Sequence, residues 1–553
     1  MTLGSMDDSP SDSQEDSHRG RLFQRVRIVG LLTLLSRILG LFRDAVMVAS
    51  FGSGVIMDAF SIAFRVPNMA RQIFGEGALS TAFLPVFIQD MEQQGKQAAF
   101  QTATGILAVT TIGLFAIVAI VEIVLLGTAM LVPLSYEATL LLNLTAMLTP
   151  YLLLICVLAQ ACAVFHGLHI FGIPALFPVL LNALWIAGAW SLDRAIASAE
   201  TRIYLIAAGI VGIGIVQLGL CIPTLRQIGF RFDWNWPASR ARVKVVFATM
   251  LPVLLGLSIT QLNTLCDSLI AWSLTAPTDP NAARWLAEYP LTEGTATAMY
   301  LGQRLYQFPI GVFGVALGTV IYPLLTAHAE RGQTALFRED LAKGLRMVIA
   351  IGIPASVGLI LIATPLTQVI FERHEFTADD TVQTAGMISA YGLGAWAACG
   401  LLIISRAFYA LGDRQTPLRV GLVAVVVNLV ANLTLVWIFA GPGLALGTSI
   451  TAMFQVFVAG WILTSRLDNF PWKSIGLALL RTFVATAAMS VACLATSLQA
   501  SQLGFGGPFA AKLISLSLPL GAGAATFLLI AKLTGLTEPF DLLQRNRRRS
   551  DSV

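Results

Sequence analysis

The chain has 553 residues, of which 56% are hydrophobic and only 12% charged, with a formal net charge of +4 and a mean hydropathy of +0.76. Soluble domains carry about 25% charged residues. So long a chain at half that fraction excludes a string of soluble domains, a disordered polymer and a nucleic-acid binder, and apolar runs long enough to cross a bilayer recur throughout.

Residues 1–20 (MTLGSMDDSPSDSQEDSHRG) are polar and acidic and are expected to form a disordered cytoplasmic tail. They lack the basic start and the apolar stretch of a signal peptide. Apolar spans then follow at 24–50, 55–88, 103–133, 138–166, 172–192, 203–223, 246–275, 295–327, 345–371, 381–411, 417–440, 443–466, 475–498 and 508–534. Each is long enough to cross about 30 Å as a helix. The expected fold class is all-α, a polytopic membrane protein of about 14 transmembrane helices. The six cysteines all lie in apolar segments without metal-ligand spacing and read as small core residues.

Lys and Arg set the orientation. With the N-terminus inside, cytoplasmic segments hold Arg19, Arg21, Arg25 and Arg27, then Arg226, Arg231, Arg240, Arg242 and Lys244. Later ones hold Arg331, Arg338, Lys343 and Arg346, then Arg414, Arg419, Arg466 and Lys473, and finally the basic tail within 537–553. External loops hold only Arg194, Arg202, Arg284 and Arg373. Two basic ends on the cytoplasmic side require an even number of spans, which fourteen satisfies.

A short repeat relates 78–85 (ALSTAFLP) to 316–323 (ALGTVIYP), and each copy is followed by a polar segment with a glycine, Gly95 or Gly332. Spans 1–6 and 7–12 then form two parallel copies, a common transporter plan. The domain reading is a 21–225 N-lobe, a 226–470 C-lobe, and 471–536 as two extra helices.

Some charges stand where a bilayer rejects them, at about 2.5–3.5 kcal/mol each on insertion scales. Span 1 carries Arg37, Arg43 and Asp44, span 2 carries Asp58, Arg65, Arg71 and Glu76, and span 8 carries Arg304, five cations against three anions. At 100° per residue Arg37, Gly40 and Asp44 share a face, Arg43 lies about 120° away, and Asp58, Arg65 and Gln72 form a stripe at spacing seven. Pro67 interrupts span 2 and can re-phase Arg71 and Glu76. The set reads either as structural ion pairs or as a hydrated cationic cavity for an anionic substrate. Arginine suits phosphate because its planar fork binds oxyanions bidentately.

The segment 36–87 (SRILGLFRDAVMVASFGSGVIMDAFSIAFRVPNMARQIFGEGALSTAFLPVF), with 304–323 (RLYQFPIGVFGVALGTVIYP) and 405–417 (SRAFYALGDRQTP), resembles the MurJ (MviN) lipid II flippase family of the multidrug/oligosaccharidyl-lipid/polysaccharide exporter superfamily. The resemblance covers essentially the whole membrane region. It implies translocation of the undecaprenyl-pyrophosphate-linked peptidoglycan precursor from the inner to the outer leaflet by alternating access of two six-helix lobes. The last two helices then border a groove for the polyprenyl tail. It further implies a bacterial cytoplasmic membrane protein, multi-pass with both termini inside, acting as a monomer on a lipid substrate and not as an enzyme.

The family's cavity residues fall on Ser36, Arg37, Arg43, Asp58, Arg71, Glu76 and Arg304, joined by Arg65 from the stripe. Gln72, Gln303 and Gln307 stand where the family often has charged residues. The resemblance also implies a sodium site found in some family members, which falls here on Asp267, Asn428, Asn432 and Thr448, an oxygen-only set suited to a hard cation; structural gluing of helices by the asparagine pair is the competing reading. Alternatives are a flippase for another polyprenyl-linked oligosaccharide, a drug or cation antiporter of the superfamily, a membrane glycosyltransferase or a scaffold. Acidic residues in the first lobe would favour the antiporter, and acidic metal-binding pairs in a sizeable external loop the transferase. No phosphate-binding loop for a nucleotide occurs.

Overall fold

The computed structural model describes residues 11–278, 286–502 and 507–541. Among them the chain is helical, with one isolated parallel bridge between Thr275 and Leu291. The helices are α1 (Ser11–Phe51), α2 (Val55–Ala70), α3 (Leu79–Gln93), α4 (Lys96–Leu131), α5 (Tyr136–Gly167), α6 (Gly172–Ala195), α7 (Ala199–Gln227), α8 (Trp236–Ser273), α9 (Thr295–Pro309) and α10 (Val315–Glu330). They continue as α11 (Thr334–Leu361), α12 (Ala363–Ile370), α13 (Ala378–Gly392), α14 (Ala395–Ala410), α15 (Gln415–Phe439), α16 (Gly441–Ser465), α17 (Trp472–Gln502) and α18 (Pro508–Thr534).

These fall on the fourteen spans of the sequence reading, and twelve are long and apolar enough to cross a membrane on that ground alone. The other two spans, α1 and α2–α3, carry seven of the eight intramembrane charges. α1 begins at Ser11, so the helix runs into the stretch expected as a tail. Residues 1–10 and most of the expected basic C-terminal tail lie outside the described residues.

Spans 2 and 8 are each built as helix, π-helix, helix. The π segments are Arg71–Ala78, between α2 and α3, and Ile310–Gly314, between α9 and α10. Both follow a proline, Pro67 inside α2 and Pro309 at the end of α9. A proline removes one i→i−4 bond and pushes away the carbonyl it would have used, which loosens the ladder toward the wider i→i+5 pattern. The repeat therefore extends well beyond eight residues. α4 and α11 start 238 residues apart, at Lys96 and Thr334, and α7 and α16 end 238 apart, at Gln227 and Ser465.

Two compact units emerge. The first comprises Met1–Met47, Ala63–Leu134 and Ala138–Leu257; the second comprises Val48–Ile62, Ser135–Glu137 and Ser258–Val553. The division runs through α8.

In the first unit Phe83, Phe87, Phe100 and Phe230 form a chain of rings with centroids 5.1–6.5 Å apart. Small residues permit close packing there: a Cβ on Gly105 would lie 2.5 Å from Ser239 Oγ. Asp90, buried at the end of α3, accepts from Thr102 Oγ1 at 2.7 Å and pairs with Arg242 at 2.7 Å.

The second unit packs α10, α11, α14 and α16 around Phe337, Ile403 and Phe408, and a further cluster sets α17 and α18 on α11 through Ala350, Ala485 and Met489. Arg346 ties the base of that second cluster to Glu538 at 3.0 Å and to Ser474 at 3.1 Å.

The turn between α14 and α15 is held by Asp413, outside the membrane-spanning segments. Its carboxylate accepts from Gln415 N at 3.0 Å, Thr416 N at 2.9 Å, Thr416 Oγ1 at 2.6 Å and Arg466 Nη1 at 2.7 Å. The Thr416 bonds first, and then Arg466, hold its carboxyl well below the usual range. A depressed acid stabilises the fold above its unfolded pKa of about 4 and loses that contribution as pH falls through the lower folded value. Thermal melting followed from pH 7 to pH 3 should show the Asp413 contribution intact down to about pH 4 and declining below it. An Asp413→Asn chain should melt lower at neutral pH and lack that part of the acid decline.

Candidate functional site

The described intramembrane charges fall into two classes by exposure, those buried or half-buried within the protein and those exposed. Arg43 belongs to the first. The register of α1 turns it away from the Arg37–Asp44 face, yet its guanidinium folds onto the next residue. Nε and Nη2 donate to Asp44 Oδ1 at 3.0 and 2.6 Å. Nη1 donates to Asn182 Oδ1 on α6 at 3.2 Å, and the group lies 4.4 Å from the Trp185 ring centroid. Asn182 also donates to Ser36 O at 3.1 Å, and Phe64 meets Trp185 edge-on at 5.0 Å. Arg43 and Asp44 are 5% and 3% exposed.

A buried pair of this kind is costly to break from one side, by about 3–5 kcal/mol, because the survivor is left uncompensated. Asn182, Trp185 and Phe64 were not singled out from sequence. A polar Asn inside an otherwise apolar span was the available signal.

Asp58 is likewise buried, and its carboxylate caps a helix in another part of the second unit. Oδ2 accepts from Gly294 N at 2.8 Å, and Oδ1 accepts from Thr297 N at 2.7 Å and Thr297 Oγ1 at 2.6 Å. These are orphan donors at the N-terminus of α9, where the helix dipole favours an anion. Gly294 has φ 83° and precedes α9, and a Cβ there would lie 2.1 Å from Ser53 O, so glycine is required. Ser53 Oγ donates to Gly294 O at 3.1 Å.

Arg71 opens the π segment of span 2 and reaches back to Asn68 Oδ1 through Nε and Nη2 at 3.3 and 3.1 Å. The re-phasing expected from Pro67 thus arises in the π turn that follows it. Arg65 is half-buried. Glu76 lies in the π segment, and its side chain is outside the described residues.

Arg37 and Arg304 form the second class. Both are exposed, on α1 and α9. Ser36 is half-buried beside Arg37, and Gln307 is exposed one turn after Arg304.

The candidate sodium residues are partly assembled. Asp267, Asn428 and Asn432 are 2%, 1% and 0% exposed. Asn432 Nδ2 donates to Asp267 Oδ1 at 2.6 Å and to Asn428 Oδ1 at 3.1 Å. Asn432 Oδ1 is buried without a hydrogen-bond partner. Gly447 makes room for it, since a Cβ there would stand 1.9 Å away. A carboxylate and two amide oxygens, one of them an orphaned acceptor, fit a hard cation. Thr448 is half-buried, and its hydroxyl turns to Leu444 O of its own helix at 3.5 Å.

A sequence profile of the lipid II flippase MurJ family matches residues 47–514. The chain belongs to the MurJ family. A probable lipid II flippase MurJ of Vibrio cholerae is 32% identical over 453 residues, 79% of this chain and 82% of that protein. A lipid II flippase MurJ of Burkholderia cenocepacia is 28% identical over 444 residues, 78% and 81% of the two chains. Among solved structures, a lipid II flippase MurJ in an inward closed conformation superposes with a TM-score of 0.70 at 22% identity, covering 91% of this chain and 98% of that one. An inward-facing multidrug transporter of the MATE family superposes with a TM-score of 0.61 at 12% identity, covering 80% and 98%. These likenesses establish the fold, a multi-pass bundle of the bacterial inner membrane. The MurJ profile begins at Met47 and so leaves Ser36, Arg37 and Arg43 outside its match.

Asp58→Asn would set an amide NH2 against the backbone donors of α9. Leaving one such buried donor unsatisfied costs about 1–3 kcal/mol, which should appear as a lower melting temperature of the purified protein. Equal melting would show that the cap does not contribute.

Proposed function

We propose that this chain is a flippase that moves the lipid-linked peptidoglycan precursor from the inner to the outer leaflet of the cytoplasmic membrane by alternating access. The observation that carries the reading is the pair of exposed intramembrane arginines, Arg37 and Arg304, in a member of a family whose named relatives are lipid II flippases. Arg43, Asp44 and Asp58 are buried and Arg71 is half-buried, each hydrogen-bonded inside the protein. On their exposure we assign Arg37 and Arg304 each to contact an anionic headgroup, where a guanidinium fork matches two oxyanions at once.

Arg43 is a positioning residue in this scheme. Its pairing with Asp44 and Asn182 fixes the stretch of α1 that carries Ser36 and Arg37. Asp58 fixes the start of α9, the helix that carries Arg304 ten residues on. Net positive charge suits an anionic headgroup and disfavours a cationic drug. Only binding and reorientation are required, so we read the chain as a transporter and not an enzyme, working as a monomer with both termini cytoplasmic.

For the ion, Asp267, Asn428 and Asn432 would hold sodium, which when bound supplies a positive charge beside the buried Asp267 carboxylate. Thr448 would complete the set only after its hydroxyl leaves Leu444 O.

Arg37→Ala and Arg304→Ala should each abolish support of growth in cells depleted of their own flippase, while membrane insertion stays normal. Normal growth on either variant would defeat the headgroup assignment. In reconstituted vesicles, Asp267→Ala should flatten any sodium dependence of flipping; an unchanged dependence would remove the ion assignment.

A further inference from the structure

The segment joining α7 to α8 is held rigidly on one side and left open on the other. α7 ends at Gln227 and the chain turns at Gly229, whose φ is +81°, with Phe230 N donating back to Leu225 O at 2.9 Å. This turn drives Phe230 into the core, 5.1 Å from the Phe100 ring. Asp233 accepts from Gln101 Nε2 at 3.0 Å, Asn235 O receives Ser239 N at 3.1 Å, and Arg242 is taken by Asp90. Four anchors within thirteen residues leave little freedom.

The open side has an unusual composition. Phe232, Trp234 and Trp236 are 62%, 49% and 40% exposed although their neighbours are pinned. Around them Lys96, Arg226, Arg231, Arg240 and Lys244 are exposed, and none has an acidic partner among the described residues. Lys96 Nζ lies beside the turn, 3.9 Å from the point where a side chain on Gly229 would begin. The segment's own acid, Asp233, is engaged by Gln101. The aromatics therefore sit within a patch of net positive charge at the ends of two membrane spans.

Trp and other large aromatics concentrate at the headgroup level of a bilayer, where an apolar body and a wet edge are both accommodated. Clusters of four to eight cations beside a span bind anionic lipid. We propose that this α7–α8 segment is a binding surface for anionic phospholipid. In it Lys96, Arg226, Arg231, Arg240 and Lys244 contact headgroup phosphates, and Phe232, Trp234 and Trp236 lie against the upper acyl chains. The surface is distinct from the residues assigned to the translocated precursor, and it rests on the chain spanning a membrane rather than on the flippase assignment.

The test uses the full chain in phosphatidylcholine nanodiscs doped with acyl-brominated phosphatidylglycerol or, at equal mole fraction, acyl-brominated phosphatidylcholine. Tryptophan quenching reports which lipid collects at the surface, and no transport is involved. Failure here would thus leave the flippase reading standing, and failure of flipping would leave this result standing. The expected result is stronger quenching by the anionic lipid. Its apparent enrichment should fall about 5-fold for each cation removed in the series Arg231→Gln, Arg240→Gln and Lys244→Gln, and fall further at high salt. Trp234→Phe with Trp236→Phe should remove most of the preferential signal. These side chains are exposed, so an unchanged melting temperature shows that folding is intact. Equal quenching by the two lipids in the unaltered chain would overturn the proposal. So would a preference that survives either set of substitutions.

Discussion

A charge inside a bilayer has to be met by an opposite charge, by aligned dipoles or by water, and the arrangement of this molecule follows from that requirement. The first unit uses an opposite charge: Arg43 and Asp44, adjacent in sequence, form a buried pair finished by the Asn182 amide and the Trp185 ring. The second unit uses dipoles: the Asp58 carboxylate is satisfied by the free N–H groups at the start of α9. Arg37 and Arg304 stay exposed, where an anion from outside can reach them.

The same plan is written twice along the chain. Spans 2 and 8 both lose the α-helical ladder after a proline and pass through a π turn before resuming. A π turn changes the register of every side chain beyond it. The eight-residue likeness of ALSTAFLP and ALGTVIYP is thus the visible trace of a repeated backbone device.

Much of the fold was legible because its driving force is one-dimensional. A span needs about twenty apolar residues in a row whatever it packs against, so about fourteen spans and an all-α class could be read from hydropathy. The candidate site was less legible. Helical angles set Arg43 away from Asp44, since the wheel describes Cα directions and a long guanidinium stem can fold back across them. Pro67 marked a disturbance in span 2, but whether a loosened ladder kinks or widens depends on what packs around it. Thr448 had the right chemistry for the cation set, yet its hydroxyl found a carbonyl of its own helix.

The sequence by itself determined the membrane class, the number of spans, the family and the identity of the charges that a bilayer rejects, because each of these rests on local composition or contiguous motif. Only the tertiary structure decided which of those charges are spent internally. Arg43 is hydrogen-bonded by a residue 139 positions away as well as paired with its neighbour, and Asp58 is capped by backbone donors 236 and 239 positions away. A hydrogen bond acts over about 3 Å, and the chain must fold before residues so distant in sequence come within that reach.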